Sequence, residues 1–412
     1  MSVTTALACR HCASPLEVSV VDLGDTPLAN SYVPAGAPPE ADPAFELHAR
    51  LCTTCGLVQV RDAVDPAAIF SDYAYFSSYS SSWLAHAKAF AEMSIERFGI
   101  GAGDLVIEVA SNDGYLLKNY VQADIEVLGI EPAANVAEVA IDKGVATRVA
   151  FFGRDLAKEL VAEGKRPKLI AGNNVFAHVP DINSFAKGLA ILAGQEGVVA
   201  LEFPHLGQLI EHTQFDTIYH EHFSYLSLAA AERVLGRAGL AVFDIEQLPT
   251  HGGSLRVFSA APGSRDETGA VQALRDAETA AGLDELATYA AFGERVGTIK
   301  RDFLEFLAAA KSQGKLVAAY GAAAKGNTLL NYCGVGREDI GFVADLSPHK
   351  QGLCLPGSRI PIISPEELKE RRPDYVVILP WNLRAEIMQQ LDAVRSWSGR
   401  FVTAVPELTV GP

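Results

Sequence analysis

The sequence predicts an α/β protein built from two Rossmann-like units, the first ending in an antiparallel hairpin, with a small zinc-binding module in front. Three observations carry this reading. From residue 105 short apolar runs alternate with helix-length segments, the alternation occurs twice, and two C-x-x-C pairs precede it. At 412 residues the chain exceeds what one core supports, since single cores stop growing near roughly 250–300 residues.

Residues 1–70 form the first module. Cys9-x-x-Cys12 and Cys52-x-x-Cys55 could supply four thiolates to one tetrahedral zinc ion. All four positions would then be protein sulfur, leaving no open site for water, so the ion is structural. Unrelated buried thiols are the competing reading, and Cys333 and Cys354 fit core packing.

Residues 71–265 form the second. LVIEVA, VLGIEP, KLIAGNN and GVVALEFP read as parallel strands buried on both faces. SLAAAERVLGRAGL reads as a helix capped by Ser227. AVFDIEQL and SLRVFSAA are joined only by PTHGG, too short for a parallel crossover, so they pair antiparallel. A parallel sheet finished by such a hairpin is the expected shape of a class I methyltransferase, whereas a nicotinamide-binding domain continues parallel.

Residues 266–312 are a helical connection, and 313–412 a second Rossmann-like unit. LVIEVASNDGYLLKN set over LVAAYGAAAKGNTLLN aligns strand, small-residue turn and helix, and the next strand ends on Glu131 or Asp345.

Composition removes several function classes. A formal charge of −16 opposes binding to a phosphate backbone, so no nucleic-acid partner is expected. No run of 18 apolar residues and no signal-like N-terminus occur, which predicts a cytoplasmic protein without membrane contact, here expected to be a monomer.

In open α/β sheets ligands sit beyond the carboxyl ends of the strands. The first such loop, Glu108 to Gly114, lacks G-x-G-x-x-G, so a dinucleotide is disfavoured. Its carboxylates and amides suit an ammonium and ribose hydroxyls, as in S-adenosylmethionine. Glu131 is placed to hold the ribose, or else to stabilise a helix N-terminus. Asn173 and His178 follow the fourth strand. TIYHEHFSYLSL, residues 217–228, lies over the same edge and reads as a proton-transfer site, with Tyr219 and His222 facing one way if the segment is helical.

Together the motifs SDYAYFSSYS, EVASNDGYLL, GNNVFAHVPD, EFPHL, IYHEHFSYLS, HGGSLRVF, YGAAAKGNTLL and DLSPHKQG, with the four-Cys module, resemble one family over nearly the whole chain. It is the S-adenosylmethionine-dependent C-methyltransferases acting on nucleotide-linked keto-deoxysugars. The resemblance implies that Glu108, Asn112, Glu131 and Asn173 contact the cofactor. Ala110 stands in the cofactor loop where many relatives carry Gly, and fits there if its φ is negative. Tyr73, His178, Tyr219, Glu221 and His222 would surround the reacting carbon. Lys325 and Asn327 would lie near phosphate or sugar, and Asp345 and Lys350 near the nucleoside, with dTDP as the expected nucleotide of the substrate and C-3 as the methylated position.

The implied chemistry is enolate formation next to a ketone followed by methyl transfer to carbon. His222 is the expected base, Tyr219 shares that task or donates to the enolate oxygen, and Glu221 orients an imidazole. Rival readings are an NAD-dependent nucleotide-sugar dehydrogenase, a zinc adaptor, and O- or N-methylation on the same fold.

Overall fold

The apolar runs of the first unit become strands whose side chains are buried on both faces, and the computed structural model describes residues 7–65, 77–79 and 81–411. In chain order these strands are β1 (Leu105–Val109), β2 (Glu126–Glu131), β3 (Thr147–Val149), β4 (Pro167–Asn173), β5 (Val198–Pro204), β6 (Ala241–Leu248) and β7 (Ser254–Ala260). They lie in the order β6–β7–β5–β4–β1–β2–β3, and β7 runs antiparallel to both β5 and β6. The expected hairpin is present, but its second strand inserts beside β5 and pushes the first to the edge. The sheet reverses direction of winding between β1 and β4, so their loops open a crevice at the carboxyl edge.

Helix Leu228–Ala238 follows the expected punctuation. The Ser227 hydroxyl accepts from the Ala230 N–H at 3.1 Å, and Gly239 ends the helix at φ 99.

The second unit contains β8 (Val317–Tyr320), β9 (Val343–Ala344), β10 (Ile362–Ile363), β11 (Tyr375–Ile378), β12 (Arg400–Thr403) and β13 (Thr409–Gly411). Their order is β10–β9–β8–β11–β12–β13, with only the final strand antiparallel. Its first five strands repeat the winding of β1 to β5, as the internal sequence match implies.

The connection resolves into two helices, Gly269–Ala280 and Leu286–Ser312. The longer one buries Tyr289, Phe292, Val296, Ile299, Phe303, Leu307 and Ala310, a stripe at helical spacing. That stripe joins one continuous core with Val20, Leu47 and Val58 of the first module and Val317, Leu330 and Val377 of the second unit. The first module is therefore packed into the protein rather than tethered to it.

Its sheet begins with Val18–Pro27 antiparallel to Ala44–Leu51, followed by Val58–Gln59. The fourth strand is Ser224–Tyr225, from the stretch read as the proton-transfer site. This sheet thus crosses the expected boundary at residue 70.

Candidate active site

Beyond β1 the chain turns through Ala110 to Gly114, held over β2 by two hydrogen bonds into the Ile130 carbonyl, from the Ala110 and Ser111 N–H groups at 2.8 and 3.2 Å. φ is 57 at Ala110, 49 at Asn112 and 77 at Gly114. The negative φ that would suit Ala110 is not what the turn adopts. The left-handed conformation costs a residue with a β-carbon about 1–2 kcal/mol, the reason Gly is the ordinary occupant.

Glu108 is fully buried, and neither carboxylate oxygen completes a hydrogen bond among the described residues. Burial pushes its pKa well up, against the Tyr115 phenol beside it, which acts the other way. Glu131 accepts the Asn112 N–H at 2.9 Å and the Ala133 N–H at 3.0 Å, fixing both the loop and the start of the next helix. Each of its oxygens retains a second lone pair. Asn112 Oδ1 accepts from the Ser77 N–H at 2.9 Å, and Asn173 Nδ2 donates to the Tyr115 hydroxyl at 3.3 Å. This is an acceptor-rich, buried set without a phosphate cradle, and it fits a ligand carrying an ammonium and ribose hydroxyls.

Residues 219–222 form a tight turn closed by the His222 N–H on the Tyr219 carbonyl at 2.9 Å. The turn, rather than a helix, stacks the two side chains, with ring centroids 4.0 Å apart. His222 Nδ1 lies 2.8 Å from the Thr217 carbonyl, which can only accept, so Nδ1 carries the hydrogen. Nε2 is then the acceptor, and the Tyr219 hydroxyl donates to it at 2.8 Å. Burial, aided by the neighbouring His178, holds the imidazole well below its usual pKa, so it is neutral at pH 7.

Two more imidazoles crowd this dyad. His178, in the short turn Phe176–His178 after β4, meets the edge of His222 at a centroid distance of 4.6 Å and hydrogen-bonds the backbone of Glu221. His251, in the β6–β7 connection, sits at φ 55 and 3.1 Å from Asn174 Nδ2. Burial lowers both to about 4.

From the other side the second unit closes in. The Trp381 indole N–H donates to Asp216 Oδ2 at 2.8 Å, and Lys325 Nζ donates to Asn382 Oδ1 at 2.8 Å while lying 4.7 Å from the Trp381 ring. On β5, Glu202 accepts from Arg256 at 2.6 Å and Thr250 at 2.9 Å and lies 2.8 Å from His86. Burial alone would raise Glu202, yet these partners hold its pKa low.

The remaining expected residues are distributed as follows. Glu221 does not orient the His222 ring: its carboxylate accepts from Asn30 Nδ2 at 2.7 Å, and the Thr217 carbonyl fixes the imidazole instead. Neighbouring turn positions point apart, which is why adjacency in sequence misplaces it. Asn327 donates to the Ala29 carbonyl at 2.5 Å and is buried against the first module. Asp345 accepts the Ala322 and Ser347 N–H groups at 2.7 and 2.8 Å, and Lys350 donates to the Ala322 carbonyl at 2.7 Å. Both stand at the carboxyl edge of the second sheet. Tyr73 lies outside the described residues.

Sequence reasoning missed Asp216, His251, Trp381 and Asn382. A signal existed for His251, since two consecutive glycines in so short a strand connection announce backbone at positive φ. Trp381 and Asn382 come just after β11 as Asn174 comes just after β4, so duplication pointed to them. Nothing marks Asp216.

The four cysteines converge. Their sulfurs all lie within 4.8 Å of one another, with Cys9–Cys55 and Cys12–Cys52 each at 3.5 Å. Four sulfurs about 2.3 Å from one zinc stand about 3.8 Å apart, so the set fits the ion. Each knuckle turns on a left-handed residue directly after its second Cys, Ala13 at φ 64 and Gly56 at φ 73. The module is bolted to the methyltransferase unit by Asn183, which bonds the carbonyls of Arg10 and His11 at 3.1 and 2.9 Å, and by Arg233 to the Cys55 carbonyl at 2.8 Å.

Fold and site together define an S-adenosylmethionine-dependent methyltransferase with a structural zinc module, and the comparisons with known proteins agree. Residues 9–70 match a family model described as a zinc binding domain, 83–245 a methyltransferase domain, and 249–406 a C-methyltransferase C-terminal domain. The chain is 37% identical over 401 residues to the C-methyltransferase NovU of Streptomyces niveus, covering 97% of this chain and 95% of that protein. The chain belongs to this C-methyltransferase family. Solved structures of partial similarity include magnesium protoporphyrin IX methyltransferase from Synechocystis PCC 6803 with bound S-adenosylmethionine, 15% identical over 49% of this chain and 100% of that one, TM-score 0.36. Another is the PH0226 protein of Pyrococcus horikoshii OT3, 13% identical over 48% of this chain and 96% of that one, TM-score 0.37. Among the described residues no helix is long and apolar enough to cross a membrane.

Proposed function

We propose that the protein methylates carbon in a nucleotide-linked keto-deoxysugar, at C-3 of a dTDP-sugar, through an enolate. The observation that supports this most is the Tyr219–His222 pair, whose hydrogen bonding leaves a phenol oxygen backed by an accepting imidazole. Taking a proton from carbon needs such a base, and O- or N-methylation does not need an enolate. Tyr219 accepts the substrate proton while its own hydroxyl proton passes to His222 Nε2, the shared-base alternative of the two expected for this pair. His178 packs on the relay and excludes water from it.

When bound, S-adenosylmethionine supplies an electrophilic methyl group. Glu108, Asn112, Glu131 and Asn173 are the residues that hold it, and Ala110 shapes the loop around it. Glu221, through Asn30, braces the catalytic turn against the first module. Asn327 supports the approach of the second unit, and Asp345 and Lys350 frame the nucleoside end of the substrate. Acidity at C-3 requires a ketone on a neighbouring carbon, so a 4-keto sugar is the substrate form.

The test is incubation of the protein and methyl donor with a panel of keto-deoxysugar nucleotides, followed by mass measurement. One product heavier by CH2, with the methyl on carbon, is expected. Methyl transfer to oxygen or nitrogen, or none with any member of the panel, rejects the proposal.

A further inference from the structure

We propose that the Lys325 ammonium is the group that receives the negative charge on the enolate oxygen, and that Trp381 and Asp216 position it. The assignment rests on the enolate reading above and moves Lys325 from the phosphate, where sequence reasoning put it, to the reacting carbonyl.

Lys325 enters from the second unit at the start of helix Ala324–Cys333. Three residues further along the same face, the Thr328 hydroxyl donates at 3.1 Å to the carbonyl of Ile218, the residue before Tyr219. Trp381 binds the other flank of the catalytic stretch through Asp216, three residues before Tyr219, which is itself fully buried. The far edge of the same indole presses on Gly252, where an added β-carbon would stand 2.5 Å from the ring, directly beside His251. One tryptophan therefore touches Asp216, Lys325 and the His251 loop. Its face attracts the ammonium, and a carboxylate behind it steadies the cation.

Among the described residues Asn382 takes one of the three ammonium hydrogens. The other two are available to a ligand. Lys325 is half-buried, and burial pulls its pKa down while Asp216 opposes that; a cation held there is costly unless an anion forms beside it, and ketone enolisation makes one. The C–H bond breaks and its proton goes to the Tyr219 oxygen, whose own proton moves to His222 Nε2. The C–H electron pair becomes the new C=C bond, and the carbonyl π pair moves onto oxygen. Charge balances between imidazolium and oxyanion, with Lys325 beside the latter. After burial, this ammonium is the next cause of the lowered pKa of His251, and for His222 it adds a smaller push behind those of His178 and His251. Lys350, on the rim of the second sheet, remains for the nucleotide.

The test measures exchange of the substrate C–H for deuterium in D2O, without methyl donor and at saturating dTDP-linked 4-keto-2,6-dideoxyhexose. In K325M exchange should fall by about 10²–10³-fold, the loss typical of one oxyanion donor. Its affinity for dTDP and for S-adenosylhomocysteine should stay within about threefold of wild type, while a phosphate contact would lose the former. W381F, a positioning change, should lower exchange less and shift its pH profile. Wild-type exchange in K325M, or exchange retained with dTDP affinity lost, overturns the assignment. Absence of exchange in the wild type instead rejects the enolate reading itself. Should K325M fail to bind S-adenosylhomocysteine, N382A carries the test, with exchange reduced about tenfold expected and an unchanged rate overturning it.

Discussion

The Tyr219 hydroxyl and His222 Nε2 are 2.8 Å apart, and because the opposite ring nitrogen is engaged by the Thr217 carbonyl, the hydrogen between them belongs to the phenol. A backbone carbonyl thus sets which ring nitrogen is left to accept.

Tyr219→Phe and His222→Ala should each lower the rate of methyl transfer by about 10²–10⁴-fold, the range of one positioned base. Calorimetric titration with S-adenosylhomocysteine should show unchanged affinity, since neither side chain forms the cofactor loop. Near-wild-type turnover in both would remove the relay.

Ala110→Gly should raise stability, because the strain of a β-carbon at φ 57 is relieved by about 1 kcal/mol while a freer unfolded chain returns part of it. A melting temperature higher by a degree or two is expected. A lower one would show that the methyl group makes contacts worth more than the strain.

Acid should destabilise the protein through its buried imidazoles. His251 is held near 4 in the folded state and returns to about 6.5 on unfolding, so between these values the unfolded chain binds the extra proton. Its contribution is complete above about pH 6.5 and declines as pH falls toward 4. Asp216, raised by burial to about 6, acts in the opposite sense, so the comparison must be differential. Relative to wild type, His251→Gln should gain about 1.6 kcal/mol between pH 6.5 and 5. A stability difference that does not vary with pH would contradict the lowered pKa of His251.

Purified protein should contain about one zinc per chain, lost in the double variant Cys9→Ser, Cys52→Ser. Elemental analysis reads this directly, and metal-free wild type would remove the zinc module.

How much of this was legible depends on sequence separation. The strands were readable because burial on both faces writes itself as unbroken apolar text, and the helix at Leu228 because Ser227 and Gly239 punctuate it. Tyr219 and His222, three residues apart, could be paired on paper. Asp216 and Trp381 could not, since they lie 165 positions apart and only the docking of one unit on the other joins them. Glu221 failed for the opposite reason. It lies next to His222 in the chain, and the turn that aligns His222 with Tyr219 sends its neighbour toward Asn30.

The strand Ser224–Tyr225 leaves the reaction centre and completes a sheet whose adjoining loop carries Cys52 and Cys55. Metal supply and catalytic alignment are thereby mechanically linked. Removing the ion would therefore slacken the strand that follows the Tyr219–His222 turn.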